Sequence, residues 1–401
     1  MNKEKKLIPE WRFPEFTNEW KENELRRVSE VVMGSSPKSS SYNENKIGLP
    51  LLQGNADIKN RLSTPRIYTS EITKECQIND ILLSVRAPVG TVAKSIHNAC
   101  IGRGISAIRA KNHNSQEFLY QWLFSYESSW KNISQGGTFD AVNSDDIRNL
   151  ILPVPNLQEQ QKIASCLSNL DELIAAHKDK LNALKNHKKG LMQNLFPQEG
   201  ETVPKYRFPE FENDGEWVKK TIEDVCQVNP SVGDLPIEFV YIDLESVSDG
   251  VLLKKNIINK EGAPSRAQRI LQDKDVIYQM VRPYQKNNYY FLANDEYEFV
   301  ASTGYAQLRA FESSKFLFQL IHTDIFVSSV LEKCTGSNYP AINSSTLKQI
   351  EVLVPPKKQE QQKIASCLSS LDDLINAQTE KIEQLKQHKK GLMQGLFPSV
   401  A

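Results

Sequence analysis

Forty residues that occur twice set the frame for everything this chain can fold into. Residues 158–197 and 359–398 align with 29 of their 40 positions identical. In the first copy the pattern steps by four and three through Ile163, Leu167, Leu170, Ile174, His177, Leu181, Leu184, Lys188, Leu191 and Leu195. The second copy repeats it as Ile364, Leu368, Leu371, Ile375, Gln378, Ile382, Leu385, Lys389, Leu392 and Leu396. This is a heptad seam whose two polar interruptions fall at equivalent places. At about 1.5 Å per residue each copy predicts a helix roughly 50 Å long. Two helices of one pattern bury their stripes most simply against each other, so the pair reads as a spacer.

A second repeat precedes each helix. Pro9-Glu10-Trp11-Arg12-Phe13-Pro14-Glu15-Phe16 opens the chain and Pro204-Lys205-Tyr206-Arg207-Phe208-Pro209-Glu210-Phe211 follows the first helix, with Trp20 and Trp217 a little further on. The chain is therefore a tandem of two units of about 200 residues, a duplicated domain and not a solenoid. Between opening peptide and helix lies a variable body. Short apolar runs such as 81–85, 90–93 and 105–108, broken by Gly and Pro, predict strands, and 116–129 has helical spacing. The second body has the same outline in 275–278, 289–292, 302–308 and 316–330. The fold class expected is mixed α/β. The bodies share short islands, among them Ala141-Val142-Asn143-Ser144 and Ala341-Ile342-Asn343-Ser344, and each closes on a Val-Pro dipeptide, Val154-Pro155 or Val354-Pro355. Near-constant helices thus carry two different bodies.

Charge narrows the function. The net charge is zero, which by itself argues against a nucleic-acid binder, but its distribution does not. Residues 81–116 contain no acid and carry Arg86, Lys94, Arg103, Arg109 and Lys111. Residues 254–286 carry Lys254, Lys255, Lys260, Arg266, Arg269, Lys274, Arg282 and Lys286 against Glu261, Asp273 and Asp275. Each stretch is a candidate phosphate-facing surface. The six cysteines show no CxxC spacing and no nearby histidines, so no metal site is expected. No apolar run approaches the ~18 residues that span a bilayer, and the polar start lacks a signal-peptide core, so a cytoplasmic protein without a membrane partner is expected.

The duplicated helices, the Arg-Phe-Pro-x-Phe openings, the Glu-Gln-Gln-Lys-Ile starts and the Lys-Lys-Gly-Leu-Met-Gln-x-Leu-Phe-Pro ends resemble the DNA-specificity subunit of type I restriction-modification enzymes. The resemblance covers essentially the whole chain. It implies two mixed α/β target-recognition domains, at 1–157 and 198–358. They are separated by two helices, at 158–197 and 359–401, that form an antiparallel coiled coil with pseudo-twofold tandem symmetry. Each body would read one half of a split, asymmetric site on double-stranded DNA, and coil length would set the gap. The helices would dock two methyltransferase subunits, and restriction subunits acting as translocase and nuclease would complete the assembly. No catalytic residue is expected here. There is no GxxxxGK[ST] loop, Asn229-Pro230-Ser231 misses an Asn-Pro-Pro-Tyr/Phe motif at its third position, and His187 and His388 lie in solvated His-Lys-Lys runs. S-adenosylmethionine, ATP and magnesium would belong to the partners.

Phosphate contacts position a protein and base-edge contacts specify sequence. The positioning candidates are Arg86, Lys94 and Arg103 in the first body and Arg266, Arg269, Arg282 and Lys286 in the second. The base-reading candidates are loop amides, hydroxyls and cations: Gln53, Asn55, Lys59, Arg61, Gly136 and Thr138, then Gln279, Gln285, Ser337 and Asn338. Lys188, Lys189, Lys389 and Lys390 are partner-binding candidates. Two other classes, a tandem DNA-binding regulator and a protein-protein scaffold, fit the same outline; the first would bind DNA tightly alone, the second not at all.

Overall fold

The structure is a computed structural model and describes residues 7–130, 141–230, 233–336 and 338–398. Two compact units emerge, the described residues of Met1–Lys178 with Glu380–Ala401 and those of Asp179–Thr379. Each long helix is divided between them: Leu157–Leu195 and Lys358–Leu396 are both continuous over 39 residues.

In the first unit the body is closed by its own ends. Strand Lys21–Glu24 pairs antiparallel with Ile151–Val154, and the strand stops where Pro155 would have to donate a ladder hydrogen bond. Asn156 then accepts the Glu159 amide through Oδ1 at 2.9 Å and caps the helix. Inside, a six-stranded sheet has the order Ser29–Met33, Ile105–Ala110, Ile81–Ser84, Val92–Lys94, Leu62–Ser63, Ile58–Lys59. A five-stranded sheet has the order Tyr42–Asn43, Ile67–Thr69, Leu49–Leu52, Ala99–Ile101, Glu75–Cys76. Helix Gln116–Ser125, capped by Ser115, covers the core with Phe118, Leu119, Trp122 and Leu123 buried.

The second unit is built alike with different residues. Val218–Thr221 pairs with Glu351–Val354, again ending before a proline. One four-stranded sheet runs Cys226–Val228, Tyr305–Ala310, Val276–Gln279, Tyr289–Tyr290, and another runs Asn256–Asn259, Glu238–Ile242, Glu298–Ser302, Ala267–Ile270. Helices Ser314–Leu320 and Asp324–Glu332 follow the sheet strand Tyr305–Ala310 as Gln116–Ser125 follows Ile105–Ala110 in the first body. The repeated Asn-Ser islands become N-caps: Asn143 caps Ser144–Arg148 and Asn343 caps Ser344–Lys348 through their side chains.

Every residue of the predicted seam is buried or half-buried, and the helix segments run antiparallel. In the first unit Ile163 and Leu167 share a core with Met393, Leu396 and Phe397, while Asp171 pairs with Lys389 at 2.6 Å. In the second, Ile364 and Leu368 share a core with Leu195 and Phe196, while Lys188 pairs with Asp372 at 2.6 Å. Each body thus has its core completed by the far end of the other body's helix. Phe397 packs edge-on against Phe118, itself edge-on to Trp20, at 5.6 and 5.9 Å. Phe196 meets Phe316 and Trp217 at 5.6 and 5.9 Å. A buried phenylalanine contributes roughly 1.5–3 kcal/mol, so the two Leu-Phe-Pro ends are part of the fold.

The opening peptides have a fixed task. Arg12 donates twice to the Glu159 carboxylate, at 2.8 and 2.8 Å, and Trp20 Nε1 donates to the same group at 3.1 Å. Arg207, Glu360 and Trp217 reproduce the triad at 2.8, 2.7 and 3.3 Å. The carboxylate side chains are 1% exposed in both. The pairing raises both arginines above their ordinary pKa. The openings therefore lock each body onto the start of its helix.

Candidate nucleic-acid interface

In the first unit the candidates converge on a glycine turn. The Gly102 amide donates to the Leu52 carbonyl at 2.8 Å and the Gly104 carbonyl accepts from the Val85 amide at 2.9 Å. A Cβ on Gly104 would lie 2.2 Å from the Gln53 carbonyl oxygen, so only glycine lets these segments approach. The result brings Gln53, Arg86 and Arg103 to the same strand ends. Asn55 opens the adjoining turn Asn55–Asp57, which the buried Asp57 holds by accepting the Gln53 amide at 2.7 Å.

The second unit has the same framework. The Gly304 carbonyl accepts from Met280 at 3.0 Å and Thr303 donates to the Arg266 carbonyl at 2.8 Å. The chain after Met280 is tied across to the cap segment: Arg282 donates its amide to Pro340 at 2.7 Å and Ile342 donates to Met280 at 3.0 Å. Arg282 is thereby held beside Pro340, with Asn338 exposed close by in the chain, while Arg266 is held beside Thr303.

The arginines sort themselves by partner. Of the 14 in the chain, Arg12, Arg26, Arg27, Arg61, Arg66, Arg109, Arg207 and Arg309 bridge carboxylates. Arg148 donates to the Val31 carbonyl. Arg86 and Arg103 in the first unit, and Arg266, Arg269 and Arg282 in the second, have no acidic partner among the described residues. A guanidinium without a carboxylate is available to a phosphate or a base edge. Arg269 is half-buried, its Nε has no acceptor among the described residues, and burial lowers its pKa.

Other candidates are engaged inside the fold. Lys94 pairs with Glu117 and lies over the Tyr120 ring, and Arg61 grips Glu127 in a two-point pair over Phe124. Lys286 bonds Asp324 at 2.9 Å and the His322 carbonyl at 3.0 Å. Gln279 is buried and donates to Gln285 at 2.9 Å, while Lys59 is exposed. Gly136, Thr138 and Ser337 lie outside the described residues. Both Lys94 and Arg109 look unopposed in an acid-free stretch, yet their partners are Glu117 and Asp80, the acids that bound it.

On the helices, Lys188 and Lys389 are held by Asp372 and Asp171, and burial pulls Lys389 below its ordinary pKa. Lys189 and Lys390 are exposed. Sequence reasoning missed Leu173 and Leu374, equivalent helix positions 44% and 54% exposed. Their signal was an apolar residue off the seam at the same place in both copies. Among the described residues no helix is long and apolar enough to cross a membrane, and no group of three or more His, Cys, Asp or Glu could hold a metal ion.

Two dissimilar α/β bodies with arginine-bearing strand ends, carried on one duplicated coiled-coil frame, define a tandem DNA-specificity protein. The chain belongs to the type I restriction modification DNA specificity domain family, whose model matches residues 17–186 and 214–387. The relatives it matches are named as specificity subunits. The type I restriction enzyme MjaIX specificity subunit of Methanocaldococcus jannaschii is 23% identical over 94% of this chain and 92% of the relative. A second protein of that organism, provisionally named the MjaX specificity subunit, is 35% identical over 47% of this chain. That match spans 43% of its own length. The crystal structure of the type I restriction-modification S subunit from M. genitalium superposes with a TM-score of 0.65 at 14% identity, covering 98% of this chain and 100% of that one; this likeness shows the fold.

Proposed function

We propose that this chain reads a bipartite, asymmetric DNA site in the cytoplasm, one half with each body, and directs both methylation and restriction by subunits docked on it. The bodies proposed as readers are 1–157 and 198–358, and the helices 158–197 and 359–401 are the frame. The observation that carries the reading is the arginine distribution: the five guanidiniums without an acidic partner among the described residues all belong to the bodies, which differ, while the two long helices, which are nearly alike, contain no arginine. Arg86, Arg103, Arg266 and Arg269 position the backbone; Gln53, Asn55, Lys59, Arg282, Gln285 and Asn338, with Gly136, Thr138 and Ser337, face the bases. Arg61, Lys94, Gln279 and Lys286 support those loops from behind. Two methyltransferase subunits dock on the helices through Leu173 and Leu374 with Lys189 and Lys390, and the restriction subunits join that complex.

The test is the salt dependence of DNA binding by the chain with its methyltransferase partner. Each lost phosphate contact lowers the slope of log K against log salt by about 0.9. Arg103→Ala is expected to do so and Lys94→Ala is not. Equal slopes for the two variants would overturn the assignment.

A further inference from the structure

The loop after strand Val276–Gln279 is built to a tolerance that an ordinary connection does not need. Arg282 and Lys286 both adopt left-handed backbone, with φ of 54° and 55°, a conformation that costs side-chain-bearing residues energy and persists only where the surroundings impose it. The surroundings do so here. The Arg282 amide is bonded to Pro340, Gln285 and Lys286 donate back to Arg282 and Pro283 at 3.0 and 3.1 Å, and Asn288 Oδ1 accepts from the Gln279 amide at 2.8 Å. Across the loop, Thr335 and Ala341 exchange both backbone bonds, at 2.9 and 3.0 Å. They hold up Tyr339, a residue 63% exposed whose ring lies 4.3 Å under the Arg282 guanidinium.

Stacking occupies only one face of a guanidinium. The in-plane N–H groups of Arg282 have no acceptor among the described residues, so a rigid, two-point donor is presented at the surface. That fork matches the O6 and N7 acceptors on the major-groove edge of guanine and no other base. The first unit lacks the device: at the equivalent place, after the bridge of Arg86 to Ala141 that parallels Val281 to Ala341, stands Ala87.

We infer that Arg282 reads a guanine in the half-site of the second body and that Tyr339 is the positioning residue that aims it. The inference rests on the DNA-reading role proposed above. Guanine is required at one position of that half-site, and losing the contact relaxes that position alone.

The test maps methylated sites in cells expressing the chain, or a variant, with its methyltransferase partner. Arg282→Gly keeps the left-handed backbone without strain. It is expected to reduce discrimination at one guanine by tenfold or more while the other half-site and the gap stay unchanged. Tyr339→Phe should preserve the motif, because the ring face remains, and Tyr339→Leu should relax the same position. In binding assays on a duplex with 7-deazaguanine there, the parent complex should weaken about tenfold and the Arg282→Gly complex should be indifferent. An unchanged motif in Arg282→Gly, or weakening uniform over all sequences, would overturn the inference and leave DNA reading intact. Absence of any methylated motif with the parent chain would instead overturn DNA reading itself.

Discussion

The Arg12–Glu159–Trp20 triad permits a test of what the repeated opening peptide is for. Replacing Arg12 by Met keeps the length and apolar stem but leaves the Glu159 carboxylate, 1% exposed, with the Trp20 N–H as its side-chain partner. Breaking a buried pair from one side costs roughly 3–5 kcal/mol. For a unit of about 200 residues each kcal/mol shifts the melting midpoint by about 2–4 °C, so a fall of about 6–20 °C is expected. In Arg12→Met with Glu159→Leu no charge is buried, and the Trp20 N–H is the group left without an acceptor, at about 1–3 kcal/mol. The double variant should therefore be more stable than the single one. Calorimetry on the full chain measures the midpoints, and hydrogen exchange of residues 7–24 and 151–165 assigns the loss to the first unit. The exposed pair Arg26–Glu24 is the control, and Arg26→Met should leave melting unchanged. A double variant no better than Arg12→Met, or a single variant indistinguishable from the control, would refute the reasoning.

Three further outcomes follow from other contacts. A Cβ at Gly395 would lie 2.5 Å from the Trp11 ring, whereas the equivalent pair in the second unit is Asn194 with Tyr206; Gly395→Asn should lower the first unit's melting midpoint, and adding Trp11→Tyr should restore part of the loss. His322 donates from Nδ1 to the Phe318 carbonyl at 2.6 Å and accepts at Nε2 from Asn288 at 3.3 Å, and desolvation lowers its pKa to about 4. Because the unfolded chain binds this proton first, near pH 6.5, second-unit stability should be intact above that pH. It should fall by up to about 3 kcal/mol as pH drops towards 4, and His322→Phe, the side chain that Phe124 provides in the first unit, should flatten that dependence in urea titrations. Inserting seven residues into one long helix should alter the tolerated gap between half-sites and leave both half-sequences as they were; methylation mapping with the gap unchanged would contradict the helix as a ruler.

The helices were legible because a heptad needs nothing beyond the chain's own order, and the residues from Ile163 to Leu195 and from Ile364 to Leu396 that the pattern selects are the ones turned inward. Mixed α/β bodies followed from short apolar runs between turn residues. Charge was harder to read, because pairing is set in three dimensions. Lys188 and Lys389 stand in what looks like a solvated run, yet each is neutralised by an aspartate of the other helix. Asp275 counts against the basic stretch 254–286 but is buried and spent on Arg309 and Gln307. Near-identity of the two helices also has a cause inside the chain, beyond any partner. Both begin with a glutamate that accepts an Arg and a Trp, and both end with a phenylalanine that enters the other body's core, so each helix must satisfy two similar surfaces.

The central claim is that the dissimilar bodies read DNA independently on a common frame. Its most direct measurement is the methylated motif in cells that supply the methyltransferase partner, before and after residues 20–155 are replaced by the matching body of a relative. One half-site should change, with the other half-site and the gap retained. A change in both halves, or in neither, would contradict the account.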